Sequence, residues 1–246
     1  MTKAIGIIGF GDFSRLMVKE LSPYFKVYVA TRSTPKNIDK FSCEFTTVEE
    51  VLKLDTIIPS MPSQFIGKFF IDNLVHINPK ALIIDVCSVK LNPVKILTEV
   101  LPKTCEILAT HPMFGPVSAA EGIKGLQIMM FPARLETYKY KQIMKFVSEE
   151  LGLRIVECTP EEHDRELAYV LGLTQYIGRA AEIMDIPETK LRTNAYDDLL
   201  DMKKIQGKDS WELFESIMND NPYATEVNQA LKKAMEQLDT KLSVKK

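Results

Sequence analysis

A histidine in a turn rich in proline and glycine is the clearest candidate for chemistry in this sequence. His111 lies in the segment Thr110-His-Pro-Met-Phe-Gly-Pro116, which follows the apolar run Ile107–Ala109. The run predicts a buried parallel strand, and the prolines and glycine predict an irregular turn directly after it. Imidazole titrates near neutrality, so a histidine at the carboxyl end of such a strand could act as a general base. The alternative is a structural loop in which the histidine caps a backbone carbonyl.

A serine occupies the corresponding place after the preceding apolar run. Ser88 belongs to the segment Asp85-Val-Cys-Ser-Val-Lys90, which follows the predicted strand Ala81–Asp85. The carboxyl ends of neighbouring parallel strands meet at one edge of a sheet, so this hydroxyl could contact a substrate bound beside His111. The same hydroxyl could instead, or in addition, cap the predicted helix Leu91–Leu101.

The beginning of the chain has the spacing of a dinucleotide-binding turn. The apolar run Ala4–Ile8 leads directly into Gly9-Phe-Gly-Asp-Phe-Ser14, and a helical periodicity continues to Leu21. In such a strand–turn–helix unit the first glycine allows the tight turn, and the second lets backbone amides approach a pyrophosphate. Ser14 replaces the third glycine of the fingerprint and is still small enough for close packing. We expect cofactor contacts from Gly9, Phe10, Gly11, Asp12, Phe13, Ser14 and, at the end of another predicted strand, Ser60.

The end of the second predicted strand bears on the choice of cofactor. About twenty residues after the glycine turn, where NAD-binding proteins place an acidic residue for the ribose hydroxyl, the chain has Thr31-Arg32-Ser33. A guanidinium and two hydroxyls, with no carboxylate among them, could bind a 2′-phosphate. Thr31, Arg32 and Ser33 therefore predict NADP rather than NAD, and the alternative is an exposed polar turn.

Apolar runs typical of strands alternate with helical periodicities as far as residue 157, and only helical patterns follow. The alternation predicts an α/β fold, with a Rossmann-like, doubly wound, mostly parallel sheet in residues 1–157. Residues 158–246 are predicted to form an all-helical domain. Its first helix is apolar on most faces between Leu167 and Ile177, so it must be buried within that domain or against a second subunit. The second of these possibilities would make the protein a homodimer.

Composition narrows the classes of function. The 246 residues carry a formal net charge of -2, and no basic run among them suggests a nucleic-acid surface. No apolar stretch approaches the roughly 18 residues that span a bilayer. The cysteines are scattered without the spacing of a metal site, so we expect reduced thiols and no metal. We expect a cytoplasmic protein, or a plastid protein if a transit peptide has been removed.

Several of these segments together resemble the prephenate/arogenate dehydrogenases of tyrosine biosynthesis, over nearly the whole chain. The shared segments are Gly9-x-Gly11-x-Phe13-Ser14, Asp85-Val-Cys-Ser-Val-Lys90, Thr110-His-Pro-Met-Phe-Gly-Pro116, Glu162-His163-Asp164 and Leu173-Thr174…Gly178-Arg179. Two later segments, Leu199–Lys204 and Asp209–Phe214, resemble the plant-type arogenate enzymes. The resemblance implies a nucleotide-binding domain followed by a helical domain that dimerises.

The resemblance also implies a reaction, the oxidative decarboxylation of a cyclohexadienol. A hydride leaves the ring carbon that bears the hydroxyl, CO2 departs, and the ring becomes aromatic. By resemblance His111 is the base that takes the hydroxyl proton, and Ser88 orients the same hydroxyl. Lys203 or Lys204 falls where related enzymes place a basic residue for a substrate carboxylate. Gln175 stands in the substrate site where many members have a histidine, and its amide cannot carry charge at neutral pH.

Asp209 bears on the choice of substrate. In plant-type enzymes an acidic residue in the matching segment is associated with arogenate, whose side chain carries an ammonium where prephenate has a ketone. The resemblance therefore predicts an NADP-dependent arogenate dehydrogenase, and the alternative for Asp209 is an N-cap of the predicted helix Trp211–Met218. Prephenate as substrate, another NADP-linked reductase and a non-catalytic nucleotide-sensing regulator are the alternative functions. His163 is expected to be structural, capping a helix or bridging the domains.

Overall fold

A computed structural model describes residues 3–32, 38–207 and 209–243, and the chain divides into two compact units, one ending at Pro160 and the other beginning at Glu161. The strands all belong to the first unit and are β1 (Ala4–Ile8), β2 (Lys26–Ala30), β3 (Glu44–Thr46), β4 (Thr56–Pro59), β5 (Leu82–Asp85), β6 (Glu106–Pro112), β7 (Gln127–Arg134) and β8 (Arg154–Glu157). Its α-helices are α1 (Asp12–Leu21), α2 (Val48–Leu52), α3 (Ser63–Asn73), α4 (Leu91–Val100) and α5 (Thr137–Lys145). Short 3-10 helices at Ile38–Lys40 and Leu74–His76 and a π-helical segment at Phe146–Glu150 complete the unit.

The strands form one eight-stranded sheet in the order β3-β2-β1-β4-β5-β6-β7-β8. All pairs from β3 to β6 are parallel, β6 and β7 are antiparallel, and β7 and β8 are parallel. The order runs outward in both directions from β1, so the predicted Rossmann-like, doubly wound and mostly parallel sheet is confirmed. The carboxyl ends of β1, β4, β5 and β6 therefore lie along one edge of the sheet.

Burial explains why continuous apolar runs became the strands of this sheet. Ile7, Ile57, Ile83 and Ile107, on four different strands, are completely buried. Parallel strands covered on both faces select β-branched residues along their whole length rather than in alternation. β3 is only three residues long, lies at the edge of the sheet and is absent from the sequence prediction.

The strand that carries His111 is longer than the sequence predicted. His111 and Pro112 lie inside β6, where they pair with Met129 and Ile128 of β7, and the irregular segment begins only at Met113. The prediction of an irregular turn starting at Thr110 was therefore wrong. Pro112 lacks an N–H, but the pairing with β7 outweighs this local signal, and proline is tolerated where a strand ends.

The helix after β5 begins without help from Ser88. The N-cap position of α4 is Lys90, and no side chain caps the first turn. The alternative role of Ser88 as the N-cap was therefore wrong, because the helix begins three residues after it, at Leu91. The hydroxyl of Ser88 remains a candidate for contact with a ligand.

The second unit is built from helices. They are α6 (Pro160–Leu167), a π-helical segment (Ala168–Leu173), α7 (Thr174–Ile183), α8 (Asn194–Gln206), α9 (Trp211–Asp220) and α10 (Ala224–Ser243). α7 and α8 approach closely at Gly178, where an added Cβ would lie 2.6 Å from Cγ of Gln206. Within the described ranges no helix combines the length and the apolar character needed to cross a membrane.

Replacing Gly178 with alanine is expected to destabilise the second unit. The new methyl would also lie 2.8 Å from Cβ of Gln206, which cannot move without shifting the backbone of α8. We expect a loss of about 1–3 kcal/mol in the free energy of unfolding. The matched control is Gly172→Ala, whose methyl would meet Met218 Cε at 3.5 Å, an ordinary contact. Denaturant unfolding of both variants decides the point, and equal stability would contradict the close approach of α7 and α8.

Candidate active site

The turn after β1 requires glycine at its first position. Gly9 has φ of +104°, and an added Cβ would lie 2.2 Å from the carbonyl oxygen of Ser60. Its N–H donates to the carbonyl of Ala30 at 2.8 Å, and the N–H of Ser60 donates to the carbonyl of Ile8 at 2.8 Å. The ends of β1, β2 and β4 are therefore joined at this turn, and a side chain at residue 9 would separate them.

The start of α1 offers backbone amides to an anion. Gly11 is the N-cap residue, no side chain caps the helix, and an added Cβ at Gly11 would meet nothing within 4 Å. Uncapped N–H groups together with the helix dipole bind phosphate, so this cradle fits the pyrophosphate of a dinucleotide. Ser14 donates from its hydroxyl to the hydroxyl of Ser60 at 2.8 Å, which fixes the cradle against β4. Asp12 is exposed and pairs with Arg15 at 3.2 Å.

Aromatic side chains pack against Phe10 of the glycine turn. The ring of Phe10 packs edge-on against Phe41 and Phe45, with centroids 4.9 Å apart in each pair. The guanidinium of Arg15 lies 5.4 Å from the centroid of Phe10. Because the Phe10 side chain is committed to this cluster, its contact with a cofactor is expected from the backbone.

Two rings join the glycine turn to the histidine segment. Phe13 lies in the first turn of α1, and Phe114 follows His111 by three residues. The centroids of their rings are 6.4 Å apart. This contact places the cradle and the segment after β6 on the same side of the sheet edge.

The predicted 2′-phosphate residues follow β2 as expected. Thr31 is half-buried and Arg32 is exposed at the carboxyl end of the strand. Ser33, the third of them, lies outside the described residues. An exposed guanidinium at this position can reach a ligand in solvent, which fits an anionic group on the cofactor.

A buried ion pair joins the ends of β5 and β6. The ammonium of Lys90 donates to the carboxylate of Asp85, and both side chains are completely shielded from solvent. The same ammonium donates to the carbonyl oxygen of Thr110 at 2.6 Å. Asp85 also accepts from the N–H of Cys87 at 2.9 Å, and its carbonyl accepts from the Thr110 hydroxyl at 2.7 Å.

This pair connects the two predicted catalytic residues through their own segments. Ser88 is half-buried in the loop between Asp85 and Lys90, and His111, 6% exposed, follows Thr110 directly. The structure thus brings the elements that carry Ser88 and His111 together at adjoining strand ends. Asp85 and Lys90 belong to a segment shared with the family, but the sequence predicted no role for either residue. Two opposite charges within an otherwise apolar stretch were the available signal.

In the second unit, two predicted substrate residues meet across a long stretch of sequence. The amide nitrogen of Gln175, on α7, donates to Oδ2 of Asp209 at 2.5 Å. Burial raises the pKa of the Asp209 carboxyl, and the hydrogen bond from Gln175 and the charge of Arg179 offset part of that rise. The N-cap of α9 is Ser210, whose hydroxyl accepts from Leu213 N–H at 3.1 Å, so the N-cap alternative for Asp209 was wrong.

Arg179 also contacts the Gln175–Asp209 cluster, a role that the sequence did not predict. One terminal nitrogen donates to the carbonyl of Asp209 at 2.5 Å, and the other donates to Glu182 at 2.9 Å. The guanidinium also lies 5.7 Å from the centroid of the Trp211 ring. Oε1 of Gln175 is buried and has no hydrogen-bond partner among the described residues, so this cluster retains an unused acceptor.

The two predicted lysines lie apart from this cluster. The ammonium of Lys203 donates to Asp185 at 3.1 Å and to the carbonyl of Ile186 at 3.0 Å, just beyond the carboxyl end of α7. Gln175 lies near the other end of that helix, about 15 Å away at 1.5 Å per residue. The structure therefore does not bring the Lys203 ammonium to the Gln175–Asp209 pair, and Lys204 is exposed.

His163 lies inside the second unit. It is 2% exposed, and its Nδ1 lies 2.7 Å from the carboxylate of the adjacent Asp164. The backbone carbonyl of Asp164 accepts from the side-chain amide of Asn221 at 2.7 Å. The Asn221 hydrogen bond ties α6 to the segment before α10, and a structural role for His163 stays a prediction.

Comparison with known proteins places these features in a family. Residues 30–135 match the family model for the prephenate dehydrogenase nucleotide-binding domain, and residues 180–246 match the model for a TYRAAT1-like C-terminal domain. Arogenate dehydrogenase 2, chloroplastic, of Arabidopsis thaliana is 30% identical over 196 residues, which are 78% of this chain and 52% of that protein. Arogenate dehydrogenase 1 of the same plant is 27% identical over 97% of this chain and 39% of its own length. The chain thus spans about half or less of these relatives.

Solved structures share the fold. Prephenate dehydrogenase from Aquifex aeolicus superposes with a TM-score of 0.76 at 20% identity, covering 99% of this chain and 92% of that chain. Synechocystis arogenate dehydrogenase gives 0.70 at 19% identity, covering 98% and 92%. The matches to the family model and to the plant relatives include the Asp85–Lys90 and His111 segments. The chain carries a prephenate dehydrogenase nucleotide-binding domain over residues 30–135, and over most of its length it is similar to the plant arogenate dehydrogenases.

Proposed function

We propose that the protein catalyses the NADP-dependent oxidative decarboxylation of L-arogenate to L-tyrosine. The observation that carries the proposal is the joining of the Ser88 loop to the His111 strand at the edge where the glycine cradle opens. Base, orienting hydroxyl and dinucleotide cradle are what a hydride transfer from an alcohol carbon requires. The similarity to plant arogenate dehydrogenases supports the choice of reaction.

The residues present fit a nicotinamide dinucleotide. Gly9 allows the tight turn against Ser60, Gly11 leaves open space for the pyrophosphate, Ser14 and Ser60 are hydrogen-bonded beside it, and Arg32 would hold the 2′-phosphate of NADP. When bound, the nicotinamide supplies an acceptor for the hydride. The Aquifex aeolicus enzyme has been solved in complex with NAD+, so the preference for NADP here rests on this chain's own Thr31 and Arg32.

His111 and Ser88 perform the proton chemistry in this proposal. The imidazole of His111 accepts the proton of the ring hydroxyl as the hydride leaves the carbon that bears it, and Ser88 holds that oxygen by a hydrogen bond. The carbon–carboxylate bond then breaks, CO2 leaves, and its electron pair enters the ring. The proton returns from His111 to the oxygen, which becomes the phenol hydroxyl, so His111 ends the cycle neutral.

The second unit supplies the recognition of the amino group. Gln175 holds one oxygen of the Asp209 carboxylate, and Arg179 holds the backbone of the same residue. An ammonium beside this carboxylate would also satisfy the unused Oε1 of Gln175, whereas the ketone of prephenate has no hydrogen to donate to either group. The cluster therefore favours arogenate.

Replacing His111 with asparagine is expected to lower kcat by about 100- to 10,000-fold, because no base remains for the hydroxyl proton. Affinity for NADP, measured by quenching of protein fluorescence, should stay within about threefold, since the cradle is untouched. The matched control is His76→Asn, because His76 lies in a 3-10 helix after α3 and its side chain is 37% exposed. Turnover by the His111 variant at the wild-type rate would contradict the assignment.

Replacing Asp209 with asparagine is expected to lower kcat/KM for arogenate by about 10- to 100-fold and to leave prephenate nearly unaffected. Its raised pKa means that Asp209 takes up a proton at a higher pH than an ordinary aspartate, and the protonated form cannot pair with an ammonium. The arogenate-to-prephenate ratio of the wild type should therefore fall as the pH is lowered. A parallel assay with both substrates tests this, and a ratio unchanged by pH and by the substitution would remove Asp209 as the determinant.

Replacing Arg32 with alanine is expected to raise KM for NADP about tenfold or more and to change KM for NAD by less than about twofold. The control variant is Lys19→Ala, which removes one exposed positive charge from the last turn of α1. Initial rates with each cofactor give both constants. Equal changes in KM for NADP and for NAD would show that Arg32 does not bind the 2′-phosphate.

A further inference from the structure

The buried ion pair of the first unit is not used by the chemistry described above. Lys90 is completely buried, a condition that lysine almost never meets unless it is paired. Burying both charges costs free energy of desolvation, and two apolar side chains of similar volume often stabilise a fold equally well. The pair therefore needs an explanation other than stability.

The position of the ammonium suggests that explanation. β5 ends at Asp85, which pairs with Ala109, so β6 extends beyond its neighbour on that side. Lys90 donates to the carbonyl of Thr110, the next residue of β6, and so continues the hydrogen bonding past the last residue of β5. His111 follows that carbonyl directly.

The same ion pair also shapes the serine loop. Asp85, held by Lys90, accepts from the N–H of Cys87, one residue before Ser88. Lys90 itself lies two residues after Ser88, so the loop is fixed on both sides of the serine. One ammonium thus sets the backbone on either side of Ser88 and immediately before His111.

We propose that Lys90 is a positioning residue for the reaction, which holds His111 in register with Ser88 through the carbonyl of Thr110 and the carboxylate of Asp85. The inference rests on the proposed function, in which His111 and Ser88 act on one hydroxyl. A displacement of about 1 Å between such groups can cost 100-fold in rate, whereas cofactor binding at the cradle does not depend on it.

The test removes both charges together, because Lys90→Met alone would leave Asp85 buried and unpaired. In the double variant Asp85→Asn with Lys90→Met, the asparagine oxygen can still accept from Cys87 N–H, and no buried charge remains. We expect a cooperative unfolding transition close to that of the wild type and unchanged affinity for NADP. We expect kcat to fall about 100-fold while KM for arogenate changes by less than about threefold.

The control is Lys139→Met, which removes the ion pair of Lys139 with Glu106 at the opposite end of β6. This pair is partly exposed, so its loss should change neither kcat nor the fold. A double variant that is folded, binds NADP and retains kcat within about threefold of the wild type would overturn the proposal. So would a fall in kcat matched by an equal loss of NADP affinity.

A second readout does not depend on turnover. The imidazole NMR signal of His111, assigned from the His111→Asn spectrum, should shift in the double variant, whereas those of His76 and His163 should stay in place. An unmoved His111 signal would overturn the positioning role even if the rate had fallen. If the wild type turned over neither arogenate nor prephenate, the proposed function would fail, and the NMR comparison would still decide whether Lys90 positions His111.

Discussion

A buried charge pair between Asp85 and Lys90 joins the loop that carries Ser88 to the strand that carries His111. The pair lies where β5 stops and β6 continues, at the point where a parallel sheet would otherwise leave a carbonyl of its longer strand without a donor. An ammonium there satisfies Thr110 and fixes the loop that carries Ser88 at the same time. The free-energy cost of burying the charges is thus exchanged for a defined geometry at the sheet edge.

Each of the two units holds one group of the predicted site residues. The first holds the glycine cradle and the residues proposed for proton transfer, all at the carboxyl ends of parallel strands. The second holds a cluster in which Gln175 and Arg179 fix the side chain and the backbone of Asp209, respectively. In that cluster the uncharged amide of Gln175 orients the carboxylate by a hydrogen bond, and the positive charge of Arg179 lies nearby.

The sequence predicted most of the sheet, because long apolar runs bounded by turns determine strands locally. It misplaced the end of β6, since the strand containing His111 is extended by pairing with β7, a contact between distant segments. Site residues were predicted where a residue type at a strand end is informative by itself. No role was predicted for Lys90 and Asp85, because two opposite charges in an apolar segment suggest a pair but do not show which backbone groups it contacts. The contact between Gln175 and Asp209 joins residues 34 positions apart and depends on how the helices pack.

The most direct test of the proposed reaction is its stoichiometry. L-arogenate labelled in the ring carboxylate would be incubated with NADP, and NADPH, labelled CO2 and L-tyrosine would be measured in the same sample. The account predicts that the three products appear in equal amounts from the earliest time points, since hydride loss and decarboxylation complete one aromatisation. Formation of NADPH without labelled CO2 would contradict it, because the enzyme would then be oxidising the alcohol without removing the carboxylate.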